Sequence, residues 1–455
     1  MSPILLRSVG LRLLKLLSMA ALLAGVLMLA DHRVSAQGGK PASGDAGSKD
    51  AGEKEGDDQP PPAAGGEDDK GAKQGTEAEE PEEPATEEEE PAAIVDTGGY
   101  LKLTADVSKK NEEAQVRHIL QKGTFEGTEQ AEFDDYFQSY FFRSWADPSF
   151  ISKVTEQRAK LRNLFDQCRG AQIHDHLLAL SLRFLKILAQ KNFHPASRYN
   201  GMLAIGELND SEHSGANLAV PHAGALPVLL ETLKSGPSDA LRVAALRGLL
   251  RHCQSGIANT QTRDTEVIPA LLELAKSGPP QRRSPEGHAW MRTLAIESLA
   301  ALHAPGAVSV AAVGQNGVID AMAKIAADRA NPPSVRCAAA RALGSIGPGP
   351  KPARTPAQLA ALLRQLTADF CDAELTRQKQ SPDTPVFRRE VRQRLNDVKK
   401  ALDTYPGLGE AASDLSAEVR SLIGKLDVKD ASDEAMTKDI EESLRNLRGA
   451  LSASR

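Results

Sequence analysis

Aromatic residues are scarce in this 455-residue chain: 18 in all, 4% of the sequence, with only two Trp. Cysteine is rarer still. Cys168, Cys253, Cys337 and Cys371 are too few and too scattered for a disulfide framework, and no CxxC or CxxCH spacing offers a thioredoxin-like motif or haem attachment. GxSxG, P-loop, HExxH and GxGxxG motifs are missing from the body of the chain. No catalytic residue, cofactor or metal ligand is therefore expected. His174-Asp175-His176 comes nearest to a metal pair, but residues i and i+2 of a helix point to different sides. Nucleic acid is excluded as a partner because acids interleave with the basic stretch Arg388, Arg389, Arg392 and Arg394.

Long apolar runs are limited to one. Arg7, Arg12 and Lys15 precede an uncharged run over residues 16–30, and small residues follow up to Ala36. The run is shorter than the roughly 20 residues a bilayer span needs. Residues 1–36 read as a secretory signal cleaved after Ala36, giving a protein exported to the periplasm or cell envelope. No second apolar span is present, so stable membrane insertion is not expected after cleavage. Residues 37–93 hold 18 acids and five bases, a net charge of −13, with few apolar side chains. Such a segment cannot offset its ordering entropy and is expected to be a disordered acidic linker.

Helical periodicity dominates the remainder. The stretch SVRCAAARALGSIG (residues 334–347) places small and branched apolar residues on a helical period, with Arg336 at its front and Gly347 past its end. Three earlier stretches share the template, with the Arg at positions 198, 242 and 292, so the steps are 44, 50 and 44 residues. Leading segments repeat as well: ALPVLLETLKSGP (225–237) matches VIPALLELAKSGP (267–279) almost position for position, and residues 318–326 are a looser copy. A period of this length with two helices per unit is the signature of a helical repeat array.

The alternation of a Pro-containing leading helix with a trailing V-R-x-x-A-A-x-A-L-G-x-I-G helix resembles the HEAT repeat, particularly the short bacterial HEAT-like form also found in phycobilisome lyases. Residues 335–347 carry the pattern throughout, and the copies at 242 and 292 carry it more loosely. The resemblance implies an armadillo-type fold, a right-handed α-solenoid of about four hairpins over residues 171–350, with the trailing helices lining a concave face. The fold class expected is thus all-α.

The repeated Arg198, Arg242, Arg292 and Arg336 are expected to form a structural ladder, each pairing with an acid or a C-terminal carbonyl of the neighbouring unit, Asp239 among them. What distinguishes this chain must lie where the copies differ. A polar insert (207–222) contains Glu212, His213 and His222, and a basic one (279–286) contains Arg282 and Arg283. Insertions of a solenoid emerge on one face, which makes these five the candidate partner-binding residues.

Flanking the array, residues 94–170 carry Phe133, Tyr136, Phe137, Tyr140, Phe141, Phe142 and Trp145 at helical spacing, expected to pack as an N-terminal cap. Residues 355–455 hold charged helices with narrow apolar seams, suited to a helical hairpin or bundle, and to a possible homodimer. The functional expectation is an exported, non-enzymatic scaffold that binds protein partners through its solenoid surface. The alternative is an accessory or lyase-like subunit handling a bound cofactor or envelope polymer.

Overall fold

The computed structural model describes residues 94–95, 99–281, 283–303, 312–347, 354–380, 384–427 and 433–453, all within one unit spanning Glu87–Arg455. The signal, the acidic linker and Arg282 lie outside the described residues. The described chain is all-α apart from two short antiparallel pairs: β1 (Ile94–Val95) with β2 (Leu101–Lys102), and β3 (Asn209–Ser211) with β4 (Val220–Pro221). None of its helices is long and apolar enough to cross a membrane.

The N-terminal part consists of α1 (Glu113–Lys122), α2 (Glu129–Asp135) and α3 (Val154–Gln167). The seven clustered aromatics are buried, but one regular helix does not carry them. Helix α2 continues as a π turn over Tyr136–Phe141 and then a 3-10 turn, Arg143–Trp145. At 100° per residue an α-helix cannot turn Tyr140, Phe141 and Phe142 inward together; the wider π turn resets the phase. Phe142 thereby stacks on Phe184, with ring centroids 4.8 Å apart.

Next come helix pairs: α4 (Ala171–Gln190) with α5 (Pro195–Glu207), α6 (Ala225–Ser235) with α7 (Asp239–Ser255), α8 (Ile268–Lys276) with α9 (Pro285–His303), and α10 (Ala312–Ala327) with α11 (Pro333–Ile346). Proline stands at the first position of α5, α9 and α11, where its missing N–H costs nothing. His194 caps α5 and Ser238 caps α7 by accepting backbone N–H bonds. Trailing helices also pack on one another in series: α5 on α7, α7 on α9, and α9 on α11.

The series runs one step further. Helix α13 (Thr384–Thr404) packs on α11 and pairs with α12 (Pro356–Gln380). Glycines set the closeness of these crossings. A β-carbon on Gly344 of α11 would lie 2.6 Å from the Ala401 Cα of α13, so only glycine lets the two backbones approach. Helices α14 (Ser413–Leu426) and α15 (Asp433–Ala453) then cover α13 and α12 respectively. The seam residues Val391, Leu395, Val398, Leu402, Leu415, Val419, Leu422, Leu426, Ile440, Leu444 and Leu447 are all buried within the chain.

Candidate interaction site

Three of the four repeated arginines make the same bond. Arg198, Arg292 and Arg336 each donate Nε–H to a carbonyl in the last turn of the preceding helix: Ala189 at 3.1 Å, Ala275 at 2.9 Å and Ala326 at 3.0 Å. The acceptor belongs to the leading helix of the same pair, not of the neighbouring unit. The short turn between paired helices brings that helix end beside the trailing helix's first turn, where a cation also meets the negative end of the dipole. The free ends of two of these guanidiniums reach onward. Arg292 Nη2 donates to Asn331 Oδ1 at 2.8 Å in the turn before α11, and Arg336 Nη2 to Asp369 Oδ2 at 2.9 Å on α12. Burial works to raise the Asp369 carboxyl, but hydrogen bonds from Gln365, Arg336 and Arg329 hold it below the usual range.

Arg242 departs from the set. It donates to Asp239 at 3.2 Å, and Asp239 also accepts from Arg283 Nε at 2.8 Å. Arg283 was expected to face a partner; instead its guanidinium is spent on Asp239 and on His288 Nδ1 at 2.9 Å. A guanidinium can only donate, so His288 Nδ1 accepts and its Nε2–H goes to the Ser277 carbonyl at 3.0 Å. Buried at 2% exposure, His288 is a neutral strut beside the second insert.

The first insert is a β-hairpin, which composition alone did not disclose. Strands β3 and β4 leave a loop over 212–219 and are fastened at both sides. Arg251 of α7 donates to the Gly206 and Leu208 carbonyls at 3.1 and 3.3 Å and to the Asn209 side chain, closing the end of α5. Across the strands His222 Nδ1 donates to Asp210 Oδ1 at 2.5 Å, and Asp210 Oδ2 accepts from the Ala223 N–H at 3.1 Å. On the other side Glu212 stands 3.8 Å from His174 Nε2 of α4, and its charge raises the affinity of that imidazole for a proton. His252 is buried beneath the hairpin, and burial with nearby Arg251 lowers its pKa to about 4.

Of the sequence-derived candidates, the hairpin gathers Glu212, His213 and His222. Glu212 and His222 are half-buried anchors, and His213 is exposed. Sequence reasoning missed Asn209 and Arg251. Arg251 sits nine residues beyond Arg242 on the same helix, and nothing in its spacing marks it as the hairpin's clasp. Asp210 and His222 form a carboxylate–imidazole pair, but among the described residues no hydroxyl or thiol contacts that ring to serve as a nucleophile. Nor, among them, does any group of three His, Cys, Asp or Glu side chains stand ready for a metal ion. The arrangement holds a loop outward. At its edge Leu218 is 78% and Val220 50% exposed, two of five exposed large apolar side chains among the described residues.

No family model and no curated protein matches this chain. Among solved structures, the crystal structure of an engineered protein is similar over 76% of this chain and 92% of its own, at 13% identity and a TM-score of 0.27. A likeness that weak assigns neither fold nor function.

Proposed function

We propose that the chain is a scaffold whose HEAT-like α-solenoid presents the 209–221 hairpin to a protein partner, and that it works at the cell envelope after export. The observation that carries this reading is the pairing of Leu218 and Val220, apolar and exposed, on a loop clasped from both sides by Arg251 and His174. Apolar groups held in water by a pre-ordered loop cost free energy that burial in a complex recovers, with little ordering entropy left to lose. The solenoid reading is supported by the recurring Arg-to-carbonyl bond and by the serial packing of α5, α7, α9, α11 and α13. Export is supported by residues 1–36 of the sequence alone.

The test is in-cell cross-linking of the full chain against a Leu218→Asp, Val220→Asp variant, with mass spectrometry of the mature N-terminus. A cross-linked protein species that depends on both apolar residues, and an N-terminus at Gln37, are the expected results. Cross-links indifferent to the double substitution would remove the hairpin from the interface. The cofactor-handling alternative draws on the aromatic cluster or the polar insert for a pocket; the aromatic rings are packed in the core, which leaves the insert to supply it.

A further inference from the structure

The hairpin meets α4 through an imidazole with a carboxylate at each of its two nitrogens. Asp175 Oδ1 lies 3.4 Å from His174 Nδ1, and Glu212 Oε1 lies 3.8 Å from His174 Nε2. A neutral imidazole has one N–H and one lone pair, so it must turn the lone pair toward one of these oxygens; the imidazolium suits both. The Glu212 contact is too long for a hydrogen bond and leaves Nε2 without an acceptor, so charge alone holds it. By contrast, His176 and His222 each face one carboxylate, Asp134 at 2.6 Å and Asp210 at 2.5 Å, and a neutral ring with its N–H on that side keeps the bond. Glu212 is tied to α7 as well: its Oε2 accepts from Asn209 Nδ2, and Asn209 Oδ1 accepts from Arg251. A polar chain therefore runs from α7 through the first strand of the hairpin to α4, and its last link depends on a proton.

We propose that His174 is a proton-operated latch on the 209–221 hairpin: as imidazolium it grips Glu212 and Asp175 together, and on losing its proton to solvent it lets the Glu212 arm lift away from α4. The Glu212 carboxylate, opposed by burial and helped by Asp175, raises the His174 pKa. A folded value above the unfolded one gives stability that is complete below about 6.5 and lost as pH rises through the raised value. Neighbouring groups leave that window to His174. Burial, then Glu212 and Asp166, push the Cys168 thiol at the end of α3 up to about 12, so it stays neutral. Phe165 of α3 meets the ring edge-on at 5.4 Å and carries no charge. Glu207 of α5 is held by Arg158 of α3 at 3.7 Å, and Arg251 of α7 by the Gly206 and Leu208 carbonyls. His252 beneath the hairpin titrates near 4, far on the acid side. The latch rests on the hairpin reading only for its consequence, that a loosened loop no longer holds Leu218 and Val220 in a pre-ordered pose.

The experiment digests the full chain with proteinase K at about pH 6 and about pH 9, and divides each rate of cleavage within 212–219 by that of a synthetic peptide of the same sequence at the same pH. The normalised rate should rise about fivefold from the lower to the higher pH, the size expected when one partly buried ion pair is lost. His174→Gln and Glu212→Gln should give flat profiles at the higher rate, whereas His222→Gln should raise cleavage at both pH values and keep the ratio. In a chain labelled with 13C-histidine, the His174 ring should titrate above 6.5 and return toward that value in Glu212→Gln. A rise that persists in His174→Gln would overturn the latch, as would equal native rates at the two pH values or a His174 ring that titrates below 6.5. The helical circular dichroism signal should be the same at both pH values; its loss at the higher one would replace a local latch with global unfolding and overturn it too. Docking is tested separately by cross-linking of the Leu218→Asp, Val220→Asp variant, so failure of either result leaves the other standing.

Discussion

Gly206 of α5 and Gly248 of α7 face each other so closely that a β-carbon on Gly206 would lie 2.6 Å from the Gly248 Cα. No side chain can yield there, because the obstacle is backbone. Gly206→Ala or Gly344→Ala is expected to cost about 1–3 kcal/mol through forced separation of the helices, outweighing the roughly 1 kcal/mol that Ala gains over Gly in a helix. Gly424→Ala, in α14 with open space around it, should be neutral or stabilising. Thermal unfolding followed at 222 nm separates the two outcomes.

The arginine rungs should differ in weight according to burial. Arg336 is 3% exposed and serves both Ala326 and Asp369, so Arg336→Ala leaves the Ala326 carbonyl without its donor and a cavity in the core, while Asp369 keeps only Arg329 and Gln365; it should destabilise by about 2 kcal/mol. Arg242→Ala, at a half-exposed rung paired with Asp239, should cost under about 1 kcal/mol. Urea titration of both variants is the measurement, and equal losses would contradict the difference in geometry.

Two buried groups give opposing pH dependences. Asp397 of α13 shares Arg341 with Glu297; burial raises its pKa to about 6, with Arg341 opposing and Glu297 adding. A carboxyl whose folded value exceeds its unfolded one stabilises most below the unfolded value, and that contribution is lost as pH rises from about 4 to 6. His252 runs the other way: its folded value near 4 lies below its unfolded one, so its contribution is present above about 6.5 and lost as pH falls toward 4. Asp397→Asn should therefore flatten the loss of stability between pH 4 and 6 and raise the melting temperature at pH 7. His252→Gln should lessen the acid sensitivity that remains.

Removing the clasp should free the hairpin without unfolding the helices. Arg251→Ala deletes the bonds to Gly206, Leu208 and Asn209, so proteolysis within 212–219 should accelerate. The far-UV spectrum should stay unchanged. A cleavage rate equal to that of the native chain would mean that Asp210–His222 suffices to hold the loop.

Thiol chemistry offers a check on the core. Cys253, Cys337 and Cys371 are free and buried, and burial pushes their thiols well above the ordinary value, Cys371 to about 12. They should resist a disulfide-exchange reagent until urea unfolds the chain, with only Cys168, half-buried, reacting slowly beforehand.

Helix positions were legible because a buried helical face must repeat apolar residues every three or four positions, and these sequences do so without interruption. Gly347, just past the last periodic residue, marks the end of α11. The π turn at Tyr136–Phe141 was not legible, since its spacings of three and four also fit a regular helix. Nor was the 209–221 hairpin, whose two short strands are held by side chains from α4 and α7 more than by their own propensity.

By itself, the sequence determined that the described chain is helical, where its helices begin and end, and which Arg recurs in each trailing helix, because local periodicity and capping act between neighbours in the chain. Only the tertiary structure decided what those groups do. It turned Arg198, Arg292 and Arg336 to the ends of their own partner helices and spent Arg283 on Asp239. These outcomes depend on which helix ends meet across 9 to 44 residues of chain, and no local rule fixes that geometry.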